Sequence, residues 1–206
     1  MTKESAIMKI SSEDGSLIWD DDKGFGFHTR KPISYETDYF TKYIDLDQTY
    51  IGYELTVERI SFVERHTNNK PVDIGIGGGI FCKQKDCYGY DVNKSAVEWL
   101  IKEKRYKDPY STHYDCMTFW DSLEHISQPE KLLAMCRGWV FVSLPIFEDK
   151  EDCLNSKHYK PGEHIWYFTH DGFIAWMCSQ GFKLHEYNNK ETMLGREGIM
   201  SYAFRR

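Results

Sequence analysis

No run of the 206-residue sequence is apolar for the roughly 20 residues that a helix needs to cross a bilayer. The longest apolar run, Trp139 to Phe147, is nine residues and is broken by Ser143 and Pro145, so a membrane-spanning helix is excluded. The N-terminal segment MTKESAIMKISSEDG lacks a continuous apolar stretch with a small-residue cleavage site. Export is therefore not signalled, and a cytoplasmic location is expected. Positive charge is also in deficit: 26 Lys and Arg stand against 32 Asp and Glu, a net charge of −6. That is the wrong sign for a chain that lives by phosphate contacts, and nucleic acid is not expected as a partner. Six scattered cysteines are too few for a secreted disulfide framework and read as reduced thiols. Cys82 and Cys87 have a spacing compatible with zinc, but no second Cys or His pair completes the set, and no metal site is expected.

Hydrophobic residues make up 41% and aromatics 16%, which supplies a core and excludes general disorder. The length suits one domain with extensions. Residues 6 to 28 alternate apolar and polar side chains around turn signals, which predicts a small hairpin or meander; residues 1–34 are assigned as this N-terminal extension. Tyr39, Phe40, Tyr43 and Ile44, then Leu55, Ile60, Phe62 and Val63, recur at helical spacing and predict a helical cap over 35–70. From Pro71 the pattern alternates strand and helix to the C-terminus. Strands are predicted at Val72–Ile76, Tyr88–Val92, Tyr114–Trp120 and Trp139–Leu144, the last nearly all apolar, as in a parallel sheet covered on both faces. Asn93 reads as the cap of a helix burying Ala96, Val97, Leu100 and Ile101, and Ser127 with Glu130 matches a capping box. Residues 148–163 form a long polar connection, a length usually functional. Thr169 then caps a helix with Phe173, Trp176 and Met177 inward and Gly181 as its stop. Phe182–Tyr187 and Gly198–Phe204 predict a final antiparallel pair, joined by a segment too short for a crossover helix.

The sharpest local signal is Asp73-Ile74-Gly75-Ile76-Gly77-Gly78-Gly79 at the end of a strand. Residues without side chains let backbone amides approach a ligand closely. A dinucleotide fingerprint would need glycine where Ile80 stands, which weakens a nicotinamide oxidoreductase reading. Asp73, two residues before the first glycine, would repel a pyrophosphate but attract the ammonium of an amino acid. Asp91 follows eighteen residues on, near the offset at which a carboxylate takes a ribose hydroxyl pair. Alone, it could merely cap the next helix. With the glycine bend it points to one ligand carrying both an amino acid and a ribose, as S-adenosylmethionine does.

Over about residues 35 to 206, VDIGIGGG, YGYDVN and YDCMTFWDSLEHI together resemble class I S-adenosylmethionine-dependent methyltransferases. The likeness is to the small-molecule branch that includes the ubiquinone-biosynthesis O-methyltransferases. It implies an α/β fold: a Rossmann-like, doubly wound, mostly parallel sheet over 71–206, with an antiparallel last strand, the N-terminal β-hairpin and the helical cap. It also implies that Asp73, Gly75, Ile76, Gly77 and Gly79 surround the methionine part of the donor. Asp91 and Val92 would hold the ribose, and Trp120 and Asp121 the adenosine side. The connection after Phe147 and the N-terminal helices would cover a small-molecule acceptor. The chain departs from the family pattern in two places. The helix after the glycine bend must be short, with Cys82 to Cys87 as a turn, and the polar stretch between Ile101 and Tyr114 leaves a strand weak or missing and the adenine contact unassigned. Such compressions resemble compact phage-type members.

The donor's sulfonium methyl is already activated, so transfer needs placement of the acceptor and exclusion of water, with no obligatory metal. A hydroxyl acceptor must lose a proton, and His125 is the candidate base; the alternative is that it fixes the turn before Ser127. His158, Glu163 and His164 in the long connection face the acceptor or solvent. Tyr39, Phe40 and Tyr43 pack in the core or stack on the ligands. No proline is followed by another and no cysteine follows a proline, which disfavours base-modifying amino and cytosine C5 methyltransferases. A donor-binding scaffold without catalysis, working through partners, is the rival reading.

Overall fold

The structure is a computed structural model that describes residues 17–29 and 38–206. Its strands follow from short β-favouring runs closed by turn residues. Leu17–Asp20 (β1) and Phe25–His28 (β2) form a hairpin, and helices Asp38–Asp47 (α1) and Tyr50–Glu64 (α2) follow. The hairpin and the two cap helices are thus present; residues 6–16 of the predicted meander lie outside the described residues. The Thr49 hydroxyl caps α2 by accepting the Gly52 N–H at 3.0 Å.

Strands Val72–Ile74 (β3), Tyr88–Tyr90 (β4), Tyr114–Trp120 (β5) and Cys136–Phe147 (β6) are parallel, in the spatial order β4-β3-β5-β6. Beyond β6 lie Ile199–Arg205 (β9) and then Lys183–Asn188 (β8), with β9 antiparallel to both neighbours. The far end of β6 forks away. Ile146 and Phe147 pair in parallel with Trp166–Thr169 (β7), and β7 continues antiparallel to β2 and so to β1. The helices between strands are Ile80–Gln84 (α3), Lys94–Lys102 (α4), Pro129–Leu133 (α5), Lys150–Asn155 (α6), His170–Ser179 (α7) and Lys190–Met193 (α8).

The period of two along the central strands divides the core into two layers. Met117, Phe119, Val140, Val142 and Leu144 face α5 and α7, where Leu132, Leu133, Phe173 and Met177 are buried against them. Cys116, Trp120, Trp139 and Phe141 face the other way, onto Phe62 and Val63 of α2, Phe81 of α3, and Ala96 and Leu100 of α4. Helices on both faces of a mostly parallel sheet, with β9 antiparallel at its C-terminal side and β2 in the N-terminal hairpin, make this the Rossmann-like, doubly wound architecture.

Several local expectations are corrected. The first two core strands stop at Ile74 and Tyr90, because Gly75 turns to φ +78° and the chain leaves the sheet. Cys82 lies inside α3, and the turn that follows is made at Asp86, which has φ +54°. On α4, Ala96 and Leu100 are buried as expected, but Ile101 is 60% exposed, and Trp99 packs inward instead. The Ser127–Glu130 capping box does not form. Gln128 precedes the helix and Pro129 opens it, its fixed φ suiting that position. The expected gap between Ile101 and Tyr114 is real: a single parallel bridge from Tyr106 to Gly89 stands where a strand would run. The long connection contains α6, and β7 was not foreseen.

Candidate functional site

The bend after β3 is shaped by glycines that no other residue can replace without strain. Gly75 has φ +78°, and a Cβ there would lie 2.7 Å from the Ser122 Cβ; Gly79, at φ +87°, would meet the Trp99 ring at 2.8 Å. A side chain at Gly78 would collide with the Asp47 carboxylate, so α1 lies directly over the bend. Asp47 accepts the Ile80 N–H at 3.3 Å, and burial raises its carboxyl to about 6.

Asp73 alternates with Val72 and Ile74 and so projects from the opposite face of β3. It is 1% exposed and accepts the Thr118 hydroxyl at 2.7 Å. Burial raises its carboxyl to about 7. At the end of β4 the Asp91 carboxylate accepts two backbone N–H groups, from Ile76 at 3.0 Å and from Asn93 at 2.8 Å. Burial raises its carboxyl as well, against the pull of those amides. The Asn93 side chain caps α4 through the Ser95 and Ala96 amides, as the sequence predicts.

These elements enclose a cavity of about 570 Å³. Asp73, Gly75, Ile76, Gly77, Asp91 and Val92, at the ends of β3 and β4, line it together with Trp120, Asp121 and His125, at the end of β5 and in the turn beyond. Gly79 stands behind the lining, against Trp99. Tyr39 and Tyr43 of α1 close the cavity with their hydroxyls 3.1 Å apart, whereas Phe40 is buried in the core. Tyr110, from the polar stretch that replaces a strand, reaches the same space beside Tyr90, with ring centres 6.1 Å apart.

Asp121 does not stand alone. Arg59 of α2 donates to it at 3.0 Å and to both oxygens of the buried Glu191 at 2.8 Å. Arg196 bonds both Asp121 and Glu191, the latter at 2.7 Å. Burial alone would raise the Asp121 carboxyl, but Arg196 and Arg59 hold it down, at about 2. The Arg59 guanidinium also lies 5.2 Å over the Trp120 ring, whose buried Nε1 has no hydrogen-bond partner among the described residues.

His125 sits in the short 3-10 turn Leu123–His125, its ring centre 4.6 Å from that of His164. Burial holds its pKa below the usual histidine value, so the ring is neutral at neutral pH. His164 is pushed down to about 3 by burial first and then by His125. Glu124 beside them is 1% exposed. His158 is turned elsewhere: its Nε2 lies 2.7 Å from the Glu197 carbonyl. The sequence reading missed Arg59, Glu191 and Arg196, which come from distant elements without periodic pattern, and Glu124, although it sits within the SLEHI motif.

No curated protein matches the sequence. Three solved structures show the same fold at low identity. A chain of the complex between the Haloferax volcanii Trm112 methyltransferase activator and a methyltransferase aligns with a TM-score of 0.58 at 12% identity, covering 84% of this chain and 99% of that one. An S-adenosylmethionine-dependent methyltransferase from Thermotoga maritima aligns at 0.54 and 11%, covering 82% and 99%. The magnesium protoporphyrin IX methyltransferase of Synechocystis PCC 6803, with bound SAH, aligns at 0.52 and 11%, covering 84% and 90%. A family model described as a methyltransferase domain matches residues 49–187. With the glycine bend, the acid after β4 and the doubly wound sheet in place, the chain belongs to the methyltransferase domain family, among the class I S-adenosylmethionine-dependent enzymes.

Proposed function

We propose that this methyltransferase carries the methyl group of S-adenosylmethionine to a hydroxyl oxygen of a small molecule. One observation carries the donor half: Asp91 stands on the cavity wall with each carboxylate oxygen already fixed by a backbone N–H. Each oxygen keeps further acceptor capacity, and two such positions side by side match the hydroxyl pair of a ribose. In this reading Val92 lies along the sugar, and Trp120 and Asp121 border the adenosine. The bend at Gly75, Ile76, Gly77 and Gly79 takes the methionine end, with Asp73 facing its ammonium.

The bound donor supplies a methyl group made electrophilic by its sulfonium. The chain's own residues orient and shield. Tyr39 and Tyr43 line the cavity, where aromatic rings would favour a cationic centre, and α1, packed over the bend, would keep water from it. The cavity of about 570 Å³ would have to hold the donor as well as the acceptor, which favours a small acceptor. His125, neutral and on the cavity wall, is placed to receive a proton from a hydroxyl. All six cysteines are free thiols, which suits the proposed work in the cytoplasm, and no helix among the described residues is long and apolar enough to cross a membrane.

Calorimetric titration tests the donor half: the homocysteine product of the donor binds with one site per chain, and NAD gives no heat. Binding of NAD and not of the product would overturn it. Incubation with isotopically labelled donor and a panel of phenols, catechols and amines tests the acceptor half. Label in an ether carbon is the expected result, and label only on nitrogen would overturn the oxygen assignment.

A further inference from the structure

Behind the cavity wall, Glu124 raises a problem of physical chemistry. It is 1% exposed, and neither carboxylate oxygen has a hydrogen-bond partner among the described residues. A buried carboxylate in that state is costly. Protonation removes the charge but leaves an O–H donor equally without an acceptor. Two imidazoles meet at the same point. The His125 Nε2 lies 3.8 Å from Glu124 Oε1, and one ligand atom from each of Glu124, His125 and His164 lies within 4.8 Å of the other two.

We infer that Glu124, His125 and His164 form a binding site for a divalent first-row transition-metal ion, with an open coordination position toward the cavity. Two imidazoles and one carboxylate are a donor set suited to such ions, and three protein ligands leave room for an exchangeable fourth. Bonds of about 2.0–2.2 Å need ligand atoms about 3.3 Å apart, so small rotations of the three side chains close the site. The backbone is already fixed for this. Ile165, next to His164, donates its N–H to the Glu124 carbonyl at 2.7 Å, and the Trp166 indole donates to the Ile126 carbonyl at 2.9 Å. These bonds lock the ligand-bearing turn to the start of β7. Of the three ligands His125 lines the cavity, and the open position is assigned to that side, toward the acceptor. There an acceptor oxygen would meet a Lewis acid, and His125 would serve as ligand in place of base.

The site assignment stands apart from the proposed methyl transfer, and its test uses neither donor nor acceptor. Metal-free full-length protein is titrated with Co²⁺ under absorption spectroscopy and with Zn²⁺ under calorimetry. The expected result is saturation at one ion per chain, with visible Co²⁺ bands stronger than those of the aqueous ion, and a rise in Tm with Zn²⁺. Glu124→Gln, which keeps the side-chain shape, and His164→Ala each weaken binding by about tenfold or more. A Co²⁺ spectrum identical to the aqueous ion overturns the assignment. So does wild-type affinity in a folded Glu124→Gln or His164→Ala variant, or a thiolate charge-transfer band, which would put the ion at a cysteine. Because the wild-type titration alone decides occupancy, a variant that fails to fold leaves the assignment falsifiable.

Discussion

Ile76 donates its backbone N–H to the Asp91 carboxylate at 3.0 Å, which ties the bend after β3 to the end of β4. The residue proposed to grip the sugar therefore also sets the shape of the bend that receives the amino-acid end. Asp91→Ala is expected to lower affinity for the donor product by about tenfold or more, the loss of hydrogen bonds to a charged group of about 1.5–3 kcal/mol. Circular dichroism should show a folded chain, and unchanged affinity by calorimetry would contradict the ribose role.

Asp73 gives a pH dependence of definite sign. Its folded carboxyl is raised from 3.8 to about 7 by burial. The folded chain thus binds the proton more tightly than the unfolded one, and stability falls as pH rises from about 4 to about 7. Asp73→Asn removes this slope. Urea unfolding of the variant should gain on wild type across that window, by at most about 4 kcal/mol. A constant difference between pH 4 and pH 8 would show that Asp73 titrates normally.

Glu191 is the anchor of the ion network, 1% exposed and bonded by both Arg59 and Arg196. Glu191→Ala leaves two arginines sharing only Asp121, and a loss of about 3 kcal/mol is expected, the scale for breaking a buried ion pair from one side. Equilibrium denaturation with an unchanged m-value reads it. A loss under about 0.5 kcal/mol would mean that the network behaves as an exposed one.

His125→Ala should reduce turnover while donor-product affinity stays within about twofold, since the ring follows β5 whereas Asp91 follows β4, two strands away in the sheet. A matched loss of donor affinity would assign His125 to shaping the donor site.

The legible parts of the fold are those with a local cause. The glycine bend, the Asn93 cap, the apolar run at Trp139–Leu144 and the final antiparallel pair all follow from adjacent residues. The four-residue strand Trp166–Thr169 was not readable, because its partners Phe25–Phe27 and Ile146–Phe147 are remote and its last residue doubles as the cap of α7. Ser127 resembled a cap, yet Pro129 fixes the helix start one residue later. Of the site, the residues near the two acids could be named from spacing. Arg59 meets Asp121 across 62 positions and Glu191 across 132, and no pattern in the chain announces such a meeting. Glu124 was hidden for another reason: its peculiarity is what it fails to touch.

The hairpin turn at Gly24 is clasped to residues 145 positions farther along the chain. Its carbonyl receives both the N–H of Thr169, at 2.8 Å, and that residue's hydroxyl, at 3.1 Å, while Gly172 packs so closely on Gly24 that any side chain there would strike the turn. A shortened chain beginning at Asp38 would strip this clasp from the first turn of α7 and uncover Trp166 and Phe168 along one edge. The first described residues thus act as a seal for a region far along the chain, and trimming them should promote aggregation even with every pocket residue intact.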